Sequence, residues 1–167
     1  TEAEETTATA VLSAHGSDGF TLPASTPGNL NVNARTYVAW NWKAGGKADT
    51  FNIDGTGYSS ASDASLSGGN LTPTGASIST TAGFGIIGYT GNGSANQTIK
   101  HGLSSPPELI IIKDRDTNSN NNQWQISSSV VGDDYAYFTT AAFTGTGLSI
   151  PTSGDATTIT LGRNGTN

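Results

Sequence analysis

Hydrophobic residues in this chain fall into short runs in which apolar and polar positions alternate, each run closed by Gly, Asn or Pro. The clearest run is 35–43, where Tyr37, Ala39 and Asn41 fall on one side and Val38, Trp40 and Trp42 on the other. That pattern predicts a strand with Trp40 and Trp42 on a core face, ended by Ala44-Gly45-Gly46. A second dense region opens with a predicted strand at 84–89 that stops at Thr90-Gly91-Asn92-Gly93, with a short partner strand at 97–100. Beyond Pro106-Pro107, the unbroken apolar run 109–113 predicts a strand buried on both faces. Further strands are expected at 123–127 around Trp124 and Ile126, at 135–139 around Tyr135 and Tyr137, and at Ile159 and Leu161, which share a face. Nearer the start, Asp18-Gly19 makes a turn before a strand at 20–22 that ends at Pro23, and 9–12 reads as one more short strand.

Closely spaced strands with Gly and Asn turns predict an all-β fold of antiparallel, jelly-roll-like β-sandwich modules in tandem. Residues 47–81 carry Gly, Ser, Ala and Asp with few large apolar side chains and read as a linker or surface excursion, with a module boundary near 68–81. The expected organisation is the C-terminal part of one repeat at 1–46, the linker at 47–81, and the truncated body of a second repeat at 82–167. A loose internal likeness fits this: Thr6-Thr7-Ala8 before Gly19-Phe20-Thr21 parallels Thr139-Thr140-Ala141 before Gly147-Leu148-Ser149. On that reading the missing part of the second sandwich is supplied from outside these residues.

Composition sharpens the picture. Charged residues are only 12% of the chain and hydroxyl and amide side chains take their place, which disfavours long helices and favours strands and turns. A net charge of −6 offers no basic patch to follow a phosphate backbone, so nucleic-acid binding is not expected. No stretch has the apolar length to span a bilayer as a helix, so no membrane partner is expected. Cysteine is absent, which excludes disulfides and thiolate metal sites, and the absence of methionine reads as a piece of a longer protein.

Several strings in order along the chain resemble a repeated β-domain found in tail-fibre and other virion surface proteins of marine bacteriophages. They are 36–46, Thr-Tyr-Val-Ala-Trp-Asn-Trp-Lys-Ala-Gly-Gly; Ala82-Gly83-Phe84 leading to Tyr89-Thr90-Gly91-Asn92-Gly93; and His101-Gly102-Leu103 leading through Pro107 to Ile110-Ile111-Ile112-Lys113. The stretch from Phe51 to Tyr58, continuing through Gly75-Ala76-Ser77, resembles the part that joins these halves. The loop 114–122 is longer and richer in Asn than that pattern, and the C-terminal part is only distantly similar. The resemblance implies a non-enzymatic structural or adhesive role on the virion surface, outside cells, with copies of itself and other virion proteins as partners. It brings no catalytic residues with it.

Candidate chemistry is sparse. Asp114, Asp116, Asn118 and Asn120 alternate oxygen ligands as a calcium loop begins, yet the sixth position lacks Gly and the twelfth lacks an acid. A solvated loop is therefore the preferred reading, and no cofactor is expected. Asp133 and Asp134 are adjacent and read as a turn rather than as the spaced carboxylate pair of a polysaccharide depolymerase. His15 and His101 are the only imidazoles; no Gly-x-Ser-x-Gly elbow accompanies them, and His101 reads as a side chain bonded to a turn. Alternating aromatics are usually core, so Tyr135 and Tyr137, beside the acidic turn, are the candidates for receptor or glycan contact. A carbohydrate-binding module of a secreted or cell-surface adhesin is the alternative function, and a depolymerase the more distant one.

Overall fold

Gly, Asn and Asp interrupt the apolar runs so often that each strand has room for only a few residues. The computed structural model describes residues 14–16, 19–22, 31–116, 124–129, 135–137 and 157–161. Among them are eleven strands and no helix: β1 (Ala14–His15), β2 (Phe20–Thr21), β3 (Phe51–Ile53), β4 (Thr56–Tyr58), β5 (Pro73–Ser79), β6 (Phe84–Tyr89), β7 (Gln97–Lys100), β8 (Leu109–Ile112), β9 (Gln125–Ser128), β10 (Tyr135–Tyr137) and β11 (Thr158–Leu161). The strands form one four-stranded sheet in the order β4-β3-β5-β6, one three-stranded sheet β10-β9-β8, and the pairs β11-β7 and β1-β2. All pairings are antiparallel except β3 with β5.

The four-stranded sheet begins with a tight hairpin. Ile53 pairs with Thr56, leaving Asp54 and Gly55 as a two-residue turn with φ of 51° and 88°. Both positive values match the turn type that suits the twist of paired strands, and Asp and Gly tolerate it. The Asp54 carboxylate then ties the hairpin to the far end of β5, accepting from the Thr80 amide at 2.9 Å and the Thr80 hydroxyl at 2.5 Å.

From β4 the chain must return to the opposite side of β3, and residues 59–72 carry it there. Residues 61–66 wind a single turn in the helical sense, closed by Leu66 N donating to Ala61 O (2.7 Å) and Ser65 N to Ser62 O (2.9 Å), with Ser65 at a φ of 56°. This is the arrangement that commonly ends helices. It turns Ala61, Ala64 and Leu66 inward, where they form one buried cluster with Phe51, Ala76 and Ile78. Because β5 arrives after this excursion on the far side of β3, the two run parallel, where a purely antiparallel sandwich was expected.

A second cluster, Leu71, Ile99, Ile110 and Ile159, draws β7, β8 and β11 together, and half-buried Ile87 on β6 packs against both clusters. β6 and β7 lie where the apolar pattern put them, β8 and β9 within a residue or two, and the Ile159 and Leu161 strand is paired with β7.

Three expectations are corrected. Residues 47–81, expected as a linker or surface excursion, hold β3, β4 and β5 and all six residues of the first cluster, Phe51, Ala61, Ala64, Leu66, Ala76 and Ile78. β5 lies within the boundary placed at 68–81 and pairs with β6 beyond it. The run at 109–112 is not buried on both faces, since Ile110 is buried while Leu109 and Ile111 are exposed, as in a strand at the edge of its sheet. The strand expected at 9–12 and the internal likeness involving 6–8 and 139–149 lie outside the described residues.

Candidate interaction surface

Residues 44–49 cross the outer face of the four-stranded sheet, and the local sequence makes that crossing feasible. The strand register aligns Gly57, Asn52, Ser77 and Ile86 in a row across β4, β3, β5 and β6. Their neighbours Phe51, Ala76 and Ile78 point to the core, so this row faces outward. Gly45 lies so close that an added Cβ would stand 2.1 Å from Ile78 O and 2.7 Å from Asn52 O, while Gly57 leaves room for Ala48 and Asp49. Gly45 O accepts from Gly55 N at 2.7 Å, and Gly46 O accepts from the Ser77 hydroxyl at 2.7 Å. The fully buried Asn52 side chain accepts from Gly55 N at 3.1 Å. At the β6 side Trp42 stacks on Phe84, with ring centroids 5.4 Å apart and planes within 8°.

Upstream of that stack the chain leaves the sheet. Residues 35–43 form no strand: among the described residues, Val38 to Lys43 make no backbone-to-backbone hydrogen bond. Val38 is 76% exposed, Trp40 67% and Trp42 57%, with Ile86 on the adjacent outer face 58% exposed. The expectation of a core strand at 35–43 with buried Trp40 and Trp42 is therefore overturned. Its alternating pattern is real, but no strand of the described chain lies beside it to complete the burial. Large apolar side chains gathered on one exposed segment mark interaction surfaces more often than they occur by chance. Arg35, Lys43 and Lys47 give this segment three cations with no acid between 35 and 48, whereas the remaining residues hold four cations and all thirteen acids.

Several candidate polar groups elsewhere in the described residues are engaged in short turns. Asp114 Oδ1 accepts from the Asp116 amide at 2.9 Å, a turn closed on itself. Asn118 and Asn120, the other two candidates for calcium, lie outside the described residues. No group of three or more His, Cys, Asp or Glu able to hold a metal occurs among the described residues. Buried His101 accepts from the Leu103 amide through Nδ1 at 3.0 Å, the turn contact its position suggested. Asp63, hydrogen-bonded by Ser60 and Ser59, has its carboxyl held below the usual range. Burial, reinforced by the charge of Asp114, raises the Tyr89 phenol.

Tyr135 and Tyr137 sit two apart on β10, opposite Ser127 and Gln125, so the backbone places them on one face of the strand. Asp133 and Asp134 lie outside the described residues. A shallow cavity of about 270 Å³ lies between Leu66, Leu103 and Lys100; its lining is mainly apolar, has no carboxylate, and its one amine, Lys100 Nζ, donates to Ser65 O at 3.3 Å. The feature that sequence reasoning missed is the strap at 44–49. Its signal was Ala44-Gly45-Gly46, read as the end of a strand when it is also what lets backbone lie on backbone.

Fold and surface together define an all-β domain whose most conspicuous exterior feature is an aromatic, basic segment. Residues 1–166 match the family model described as "Domain of unknown function (DUF7483)", and the chain belongs to that family. No curated protein and no solved structure matches it.

Proposed function

We propose that this chain is a non-enzymatic structural or adhesive component of a virion surface, a phage tail fibre or related appendage built from tandem β-sandwich modules that associate with one another. The observation that carries the reading is the exposed segment 38–43, which has the alternation of a strand and the side chains of a core but no partner strand among the described residues. The string resemblance to tail-fibre domains supports the viral setting and the extracellular location. Such a protein acts by shape and adhesion, spacing a receptor-contacting tip from the particle, and its partners are copies of itself and other virion proteins. The engagement of Asp54, Asp63, Asp114 and His101 in hydrogen bonds within the fold supports a structural role for these groups over a catalytic one. Light scattering on the purified chain tests the reading: an oligomer is expected, and a monomer at every attainable concentration rejects it.

Exposed Trp40 and Trp42 also favour a second reading, a carbohydrate-binding module of an adhesin, because indole faces stack on sugar rings. Glycan-array binding that is lost on Trp40→Ala, or on Tyr135→Ala or Tyr137→Ala, decides for it. Release of reducing ends from a host capsule by the chain would instead establish a depolymerase.

A further inference from the structure

We infer that residues 38–43 are a donated strand, which becomes ordered against the edge strand β8 of a second copy of this chain; the inference rests on the self-association proposed above and names the surfaces that carry it.

Three observations select the occupant. First, the segment has strand alternation, with Val38, Trp40 and Trp42 on one side, yet among the described residues its backbone from 38 to 43 pairs with no strand. Strand addition to an open sheet edge satisfies such a backbone, and side chains at alternate positions then set the register. Second, the donor is held in position. Gly45 and Gly46 lie on the sheet and Trp42 stacks on Phe84, so the residues before Trp42 leave the sheet from a fixed point instead of folding back over it. Ordering such an anchored segment costs less entropy than ordering a free tail. Third, charge favours another copy as the partner: Lys43 in the segment and Arg35 and Lys47 flanking it are the only charges between 35 and 48, whereas the chain as a whole is at −6.

The acceptor follows from the sheet edges. Among the described residues β8 is paired with β9 alone, and its outward residues Leu109 and Ile111 are 53% and 39% exposed. Exposed Glu108 stands at its start. Pairing with β8 would set Val38, Trp40 and Trp42 beside Leu109 and Ile111 as cross-strand neighbours. With aromatic side chains of roughly 150–250 Å² each, the exposed parts of the donor and Ile86 amount to on the order of 400 Å², about half of the roughly 800 Å² per partner in a standard interface. Donor and acceptor are different patches, so each chain can give one strand and receive another, which closes a ring or extends a filament.

The test compares the whole chain with a donor variant, Trp40→Glu, and an acceptor variant, Ile111→Lys, by sedimentation and light scattering across concentration. Both positions are exposed, and circular dichroism confirms that each variant keeps its sheets. Association is expected to weaken at least ten-fold in either variant, and a mixture of the two is expected to form a dimer, since one brings an intact edge and the other an intact donor. In a Trp124→Phe background the emission of Trp40 and Trp42 is expected to shift to the blue as the chain associates. An oligomer unchanged by Trp40→Glu overturns the donor and leaves self-association standing on another surface; loss with Trp40→Glu but not with Ile111→Lys overturns the β8 acceptor. A parent chain that stays monomeric throughout overturns this inference and the proposed function together.

Discussion

Residues 35–43 and residues 47–81 exchange the roles their side chains suggest. The first segment has two tryptophans, a tyrosine and a valine, and it stands largely in solvent; the second is dominated by Gly, Ser, Ala and Asp, and it supplies the first buried cluster. Ala61, Ala64 and Ala76 have little apolar area of their own, but they are closed over by Phe51, Leu66 and Ile78 from neighbouring stretches of chain. Trp40 has a large apolar area and stays 67% exposed. Burial is thus a property of pairs of segments, and a count of large apolar residues in one window is a poor guide to which window becomes core.

Four measurements break or sharpen this contrast. The largest effect is expected in the small-residue region: Ile78→Ala removes a fully buried side chain and should cost about 2–5 kcal/mol, read as a lower urea midpoint. A cost within experimental error would mean that the first cluster does not hold the sheet together.

Gly45→Ala comes next. The new methyl would meet Ile78 O, Ile78 N and Asn52 O, all of them backbone atoms that cannot swing aside, and the expected loss is about 1–3 kcal/mol. Because the strap would lift, the same change should disturb the Trp42 and Phe84 stack, visible in near-ultraviolet circular dichroism.

The third measurement follows pH. Burial, with Asp114 nearby, raises the Tyr89 phenol above its ordinary value of 10.0, so the folded chain keeps a proton that the unfolded chain releases. The stability this contributes is complete below pH 10.0 and falls as pH rises through the higher folded value. Tyr89→Phe should therefore show a shallower alkaline loss than the parent, and identical alkaline profiles would contradict the burial of this phenol.

The smallest change in stability is expected where the side chain is largest. Trp40→Ala should leave the unfolding free energy of the monomer within about 0.5 kcal/mol, since an exposed side chain without strong contacts contributes little to folding. A loss of several kcal/mol would place Trp40 in a core after all.

Much of the strand inventory could be read directly from sequence, for a local reason. β6 stops where Thr90-Gly91-Asn92-Gly93 begins, and Gly93 there has a φ of 73° that suits glycine. β7, β8 and β9 are likewise bounded by their turn residues, and the contact of His101 with the Leu103 amide spans only two residues. At 35–43 the alternation was legible, but the segment was expected in the core and is exposed.

By itself the sequence determined an all-β chain, the places where it turns, and which residues alternate, because turn chemistry and a period of two are properties of neighbours along the chain. Tertiary structure alone decided that β3 and β5 run parallel, that the Gly- and Ser-rich stretch becomes core, that Gly45 must admit a backbone crossing, and that the aromatic segment is left outside. Each of these depends on which distant segment arrives alongside, and that is fixed by the whole set of packing contacts and not by any window of residues.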